Sequence, residues 1–182
     1  MNVIQFQSCQ LLFYKKQITM AKINYQRMTV QMDGDFVVFL IGMRINRLWR
    51  IHKWLPILTA MPKMLIELSK NPESGFLGYQ MSGGIQPVLV QYWKSFELLE
   101  AYAKDMNSSH YPAWKAYNQK IKGNGDVGIW HETYKVRSGE YECIYNNMPK
   151  YGLGKVGELV PVTGKREHAA DRISNGRLKT KD

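Results

Sequence analysis

The chain has 182 residues and a formal net charge of +10, enough for one domain with a real core plus tails. Its apolar and charged fractions, 45% and 22%, are those of an ordinary soluble globular protein. The charge raises nucleic acid or an anionic surface as a partner. It is divided, however, between Arg44, Arg47, Arg50 and Lys53 and a tail diluted by Glu167, Asp171 and Asp182. Without a recognition-helix, zinc-finger or RNA-binding signature, nucleic-acid binding is disfavoured.

Cys9 and Cys143 are the two cysteines, too far apart and too few for a disulfide framework or metal-ligand spacing, which fits a reducing, cytoplasmic compartment. The longest apolar run, 36–43, is far too short to span a bilayer. At the N-terminus Lys15 and Lys16 follow the apolar residues instead of preceding them, the wrong order for a signal peptide. Met20-Ala21-Lys22 is a natural start. Residues 1–30 therefore read as an extension, 31–162 as the folded domain and 163–182 as a polar, basic tail.

After the Asp33-Gly34-Asp35 turn, F-V-V-F-L-I-G-M (36–43) predicts a buried strand. Arg44 to Lys53 is a basic connection carrying Trp49 and His52. Trp54, Leu55, Leu58, Met61, Leu65 and Leu68 recur at helical spacing. Pro56 suits a first turn, Pro62 should kink that helix or begin a second piece, and Asn71-Pro72 ends it. Residues 75–82 and 87–93 predict a hairpin across Gly83-Gly84. Ser95 is a plausible N-cap for a helix whose Phe96, Leu99, Ala103 and Met106 share a face. A shorter helix starts at Pro112 with Trp114, Tyr117 and Ile121. Strands are predicted at 128–136 and, after Ser138-Gly139, at 140–146.

The order β-α-β-β-α-β plus one extra strand is the ferredoxin-like split βαβ arrangement, α+β class, with helices on one face of an antiparallel sheet. The strands are apolar and aromatic on both sides, so the other face needs cover. A homodimer with a cavity between two sheets is the simplest expectation.

Three segments carry a resemblance to a known family: W-L-P-I-L-T-A-M-P-K-M (54–64), Y-W-K-S-F-E-L-L-E-A-Y-A (92–103) with His110 and Trp114 beyond it, and above all G-I-W-H-E-T-Y (128–134) followed by E-Y-E-C-I-Y-N-N-M-P (140–149) and G-L-G (152–154). The chain resembles, over roughly residues 25–163, the monooxygenase-like family named after the fungal fumagillin-pathway monooxygenase, of the dimeric α+β barrel superfamily. That resemblance implies the fold, and with it an oxygenase. Superfamily relatives include cofactor-free quinone-forming monooxygenases, haem-degrading enzymes and haem-dependent dehydratases, and a fold alone does not choose among them.

Strand alternation puts His131 on one face of 128–136 and Trp130, Glu132 and Tyr134 on the other. If Trp130 and Tyr134 pack on the helices, His131 points into the inter-sheet cavity, as a base or, with haem, as axial ligand. Glu132 then faces the helices and needs a partner such as Arg44 or Arg47. If the facing is reversed, Glu132 and Tyr134 line the pocket and His131 is structural. The candidate catalytic set is His131, Glu132 and His110. The candidate substrate contacts are Trp130, Tyr134, Tyr145, Asn147 and Trp93. No cofactor is predicted, with haem as the alternative. A non-catalytic barrel that holds a small apolar or aromatic molecule is the reading from a different class.

Overall fold

A computed structural model of the protein describes residues 22–106, 111, 115, 119, 123 and 125–174. The order is β1 (Met28–Gln31), β2 (Phe36–Ile45), α1 (Ile51–Lys70), β3 (Phe76–Ser82), β4 (Val88–Trp93), α2 (Phe96–Lys104), β5 (Val127–Val136), β6 (Glu158–Pro161) and α3 (Ala169–Ser174). Of the helix expected from Pro112, Lys115 and Gln119 are described and helical; Pro112 itself, and His110 ahead of it, lie outside the described residues.

Strands β3-β4-β2-β5 form one antiparallel sheet in that order, the order of a ferredoxin-like fold. The odd-numbered face of β2 serves two clusters, one towards each end of the strand. Val37 packs with Leu68, Trp93 and Leu99, beside Phe39, Phe76, Phe96 and Tyr102. Met43 and Ile45 pack with Val127 against Trp54, Ile57 and Leu58 of α1. Both helices thus cover the odd-numbered face of β2. Ser95 caps α2, its hydroxyl accepting from Leu98 N–H at 3.3 Å, as expected.

α1 differs from expectation. It runs as one helix through Pro56 and Pro62 and starts three residues before Trp54, with His52 in its first turn. A proline removes the donor that would reach the carbonyl four residues back, here His52 and Leu58. The helix is retained because its apolar stripe is buried on both sides of Pro62, by Leu58 before it and by Leu65 and Leu68 after it.

The second core lies over the other face of the sheet, at one end. Val30, Phe36, Tyr92 and Leu153 form it, with Tyr141, Cys143 and Tyr145 packed alongside. Here β1 and β6 pair as a small antiparallel sheet. The additional C-terminal strand therefore exists, but at Glu158–Pro161 and not at 140–146. That segment makes a single bridge, Tyr145 with Met28, because side chains occupy the next ladder positions. The Thr29 hydroxyl donates to the Cys143 carbonyl (2.7 Å) and Met32 N–H donates to the Tyr141 hydroxyl (2.6 Å).

One charged group is fully enclosed. Asp126, just before β5, has no side-chain exposure and accepts from Arg47 Nη1 at 2.9 Å and Arg50 Nη1 at 3.1 Å. Burial alone raises its carboxyl, but hydrogen bonds and charge from Arg50 and Arg47 outweigh that and hold it below its ordinary value. The loop between β2 and α1 is thereby tied to the start of β5.

Two outcomes follow for stability. A group with a depressed folded pKa contributes stability that is present above the unfolded value, about pH 4, and lost as pH falls through the folded value. Asp126→Asn is therefore expected to lower the urea midpoint at pH 7, with the gap to wild type closing below about pH 4; a pH-independent gap contradicts the pairing. At Gly157, a Cβ would lie 2.4 Å from Val30 Cγ1 and 3.0 Å from the Gln31 carbonyl. Gly157→Ala is expected to cost ~1–3 kcal/mol in denaturant unfolding if the β1–β6 sheet packs as described.

Candidate functional site: an apolar cleft under the first helix

The helix face of the sheet is incompletely filled. Between it and α1 lies a cleft of about 550 Å³, within the size range of small-molecule sites. From α1, Leu58, Met61, Leu65 and Ile66 line it; from the sheet, Ile41, Met43, Leu89 and Ile129. Ile66, Met81 and Ile129 are 49%, 40% and 38% exposed, so apolar side chains stand open to solvent around one hollow, which marks a binding surface. The Gly83-Gly84 turn and Pro87 form part of its border. Its polar groups are few: Thr59, Ser69, Tyr79 and Ser82. Lys63 and Lys70 are the charged ones. The Thr59 hydroxyl is turned back on its own helix, 3.1 Å from the Leu55 and Pro56 carbonyls. Pro62 leaves the carbonyl of Leu58, another cleft residue, without its i+4 donor.

The β2–β5 register settles which way β5 faces. Ile41 pairs with His131, Phe39 with Thr133 and Val37 with Lys135, and directly opposed residues share a face. His131 is therefore on the helix face, its ring 5.8 Å from that of Phe39. Lys135 confirms the side, with Nζ 4.8 Å from the Phe96 ring centroid and 3.9 Å from Glu97 Oε1, both on α2. This is the reverse of the arrangement that would aim His131 into a cavity between sheets. Trp130, Glu132 and Tyr134 take the face away from the helices.

The other sequence candidates are dispersed. Glu132 accepts a 2.6 Å hydrogen bond from the Tyr134 hydroxyl, which with the carboxylate charge raises the Tyr134 pKa. It does not pair with the arginines expected for it, since Arg47 binds Asp126. Trp130 lies over Gly42, where a Cβ would come within 2.5 Å of the indole. Trp93 is core, with no exposure, and donates to Gln91 Oε1 at 2.9 Å. Tyr145 is half-buried against the second core; its hydroxyl accepts from Gly154 N–H at 3.1 Å, and desolvation pushes its pKa well up. Asn147 holds a tight corner at φ 54°, a conformation asparagine tolerates.

His131 is the described histidine on the cleft's side of the sheet. It is one same-face position, roughly 7 Å, along β5 from Ile129, without itself lining the cleft. Among the described residues the cleft walls offer the thioethers of Met43, Met61 and Met81 but no histidine or cysteine, and no cluster of three metal-ligating side chains occurs. These residues do not fit an imidazole- or thiolate-ligated haem. No described helix is long and apolar enough to cross a membrane.

Missed in the sequence were the cleft itself and the lysines of α1; Tyr79, read there as core or cavity wall, does line the cleft. The signal was available in part: Ile57, Met61 and Ile66 widen the apolar stripe of α1 beyond what the sheet buries.

An antiparallel sheet in the order β3-β4-β2-β5, with both helices on one face and an apolar hollow beneath the first, defines a ferredoxin-like α+β protein. The chain matches the family described as monooxygenase af470-like over residues 36–153 and belongs to it. It is 25% identical over 131 residues to monooxygenase af470 of Aspergillus fumigatus, covering 67% of this chain and 46% of that protein. The chain thus spans about half the length of the curated relative it matches. Among solved structures, an aldoxime dehydratase (OxdRE) in complex with butyraldoxime superposes with a TM-score of 0.60 at 14% identity, over 73% of this chain and 40% of that one. SnoaB, a cofactor-independent oxygenase from Streptomyces nogalater, gives 0.41 at 11% identity, over 57% and 94%. Likeness at this level of identity is likeness of fold.

If the facing of β5 is as described, Ile129→Cys, on the face of His131, and Trp130→Cys should label differently. Filling the cleft with an aromatic ligand is expected to slow thiol modification at position 129 by several-fold and leave position 130 unchanged. Protection confined to position 130 would contradict the assignment.

Proposed function

We propose that the protein is a small monooxygenase that oxidises an aromatic or polyketide-like apolar molecule held in the cleft under α1, without a tightly bound organic cofactor. The observation that carries this reading is the cleft: about 550 Å³, walled by aliphatic and thioether side chains and bordered by few polar groups. Such walls bind a flat apolar molecule and keep water from it. Membership of the monooxygenase family supports the reaction type.

The chemistry asked of the chain is modest. A substrate with an acidic methylene loses a proton to a base, and the resulting carbanion supplies the electrons that reduce dioxygen. The methylene and O₂ become a carbonyl and one water, so atoms and electrons balance with no outside reductant. His131 is the base in this proposal, reaching the substrate at the β5 end of the cleft. Neither Glu132, engaged with Tyr134 on the opposite face, nor Asn147 has a place in it.

The open face of the sheet is given to a second copy. Leu40, Trp130 and Tyr134 lie on it beyond the second core, and an apolar sheet face of this kind is stable when covered. The substrate cavity is thus placed within each protomer, and the homodimer serves as cover.

The test is oxygen uptake with an anthrone-class phenol. Met61→Trp, which fills the cleft, is expected to abolish turnover and binding together. His131→Ala should lower turnover about 100-fold while binding persists. Undiminished turnover in His131→Ala would remove the base from this scheme. Binding without any oxygen uptake in wild type would favour a ligand-holding barrel.

A further inference from the structure

The cleft does not stand alone. A second, shallower hollow of about 460 Å³ runs beside it, and the two share Ser69 and Tyr79 as lining residues. The second hollow is floored by Phe76, Leu77 and Gly78 of β3 and carries Lys155, from the turn after the second core. The combined groove thus holds Lys63 and Lys70 on one side of the junction and Lys155 on the other. Among the described residues no carboxylate lines either hollow.

Three cations without a carboxylate among the lining residues are an unbalanced arrangement for an otherwise apolar groove. Lys63 and Lys70 are seven residues apart on α1, on one helix face and about 10 Å apart along its axis. None of the three lysines has an ion-pair partner among the described residues, in contrast to Lys104 and Lys135, which lie 2.9 Å from Glu100 and 3.9 Å from Glu97. Burial pushes the Lys155 ammonium down from its ordinary pKa, the behaviour of a cation that has lost water without gaining a counter-charge. At the junction sits Tyr79. Its ring stacks on Phe76, with centroids 6.2 Å apart and planes at 23°, and its hydroxyl has no hydrogen-bond partner among the described residues. Tyr79 thus belongs to both hollows, with Lys70 lining the cleft on one side of it and Lys155 the second hollow on the other.

We infer that the cleft is built for an apolar molecule bearing a single anionic head, a carboxylate or a phenolate, with the head at the Tyr79 junction between Lys70 and Lys155 and the apolar body beneath α1. The inference rests on the cleft being the substrate site and adds the charge and polarity of the substrate to it. The last carbonyls of α1 carry the negative end of the helix dipole, so the lysines are what make this end of the helix acceptable to an anion. The Tyr79 hydroxyl donates to the head, and the head in turn neutralises the partly desolvated Lys155.

The experiment measures binding of 2-naphthoate and of its uncharged methyl ester to the full chain by equilibrium dialysis. Wild type is expected to hold the acid about tenfold tighter than the ester, the scale of two partly exposed charge pairs and a hydroxyl. Lys70→Gln with Lys155→Gln should bring the acid down to the level of the ester and leave the ester unchanged. Lys70→Arg with Lys155→Arg should keep most of the preference, which separates charge from folding. Equal binding of acid and ester in wild type, both lost in Met61→Trp, would overturn the anionic head and leave the cleft as the substrate site. Binding of neither would overturn both.

Discussion

Everything that the candidate site can do is decided by the antiparallel register of β2 against β5. A slip of one residue would carry every β5 side chain to the opposite face, exchanging His131 for Glu132 beside the cleft. The register is held at both ends by carboxylates. At the start of β5 the enclosed Asp126 binds Arg47 and Arg50, and Asn46 N–H donates to its carbonyl at 3.0 Å. Past the other end, Ser138 N–H donates to Asp35 Oδ1 at 2.8 Å. In the middle, Gly42 opposes Trp130, and the absence of a Cβ lets the indole lie across the strand. Displacement by one position would set that indole against Ile41 or Met43.

With the register fixed, the two faces have different tasks. One end of the helix-free face is closed by the second core, whose tyrosines are held by backbone donors and by burial. The helix face is closed by α2 and the two ends of α1. Its middle is left hollow, and that is where apolar residues remain exposed. An uncovered hollow of this kind costs solvation that a merely structural packing would remove, which is why it carries the functional assignment. The lysines around the cleft, without ion-pair partners among the described residues, are what the proposed anionic head would neutralise.

The four-stranded sheet was legible in the sequence because its signals are local. A continuous run of β-branched and aromatic residues marked 36–43, the Gly83-Gly84 turn marked the hairpin, and Ser95 marked a helix start. The facing of β5 was not legible, since Trp130 and Tyr134 on one side and Ile129 and His131 on the other are equally credible packing surfaces. Only the pairing with β2, a long-range contact, separates them. β1 and β6 were missed because four residues are too few to show a period. The segment 140–146 looked like a strand because its alternating tyrosines do face a core, although side-chain bonds replace its ladder. Pro62 pointed to a break in α1 because its local cost is visible in sequence and the compensating burial is not. The cleft could not be seen at all, being the part of the interior that no residue fills.

The assignment of the substrate to the helix side is tested most directly by three methionines. Met43, Met61 and Met81 all line the cleft, whereas Met28 is a buried residue of β1 and Trp130 lies on the opposite face of the sheet. In protein labelled with ¹³C at the methionine methyls, titration with an aromatic ligand is expected to shift the Met43, Met61 and Met81 resonances together, with Met28 and the Trp130 indole N–H unmoved. A shift of the Trp130 indole with the three methyls unchanged would place the ligand between sheets and contradict the assignment.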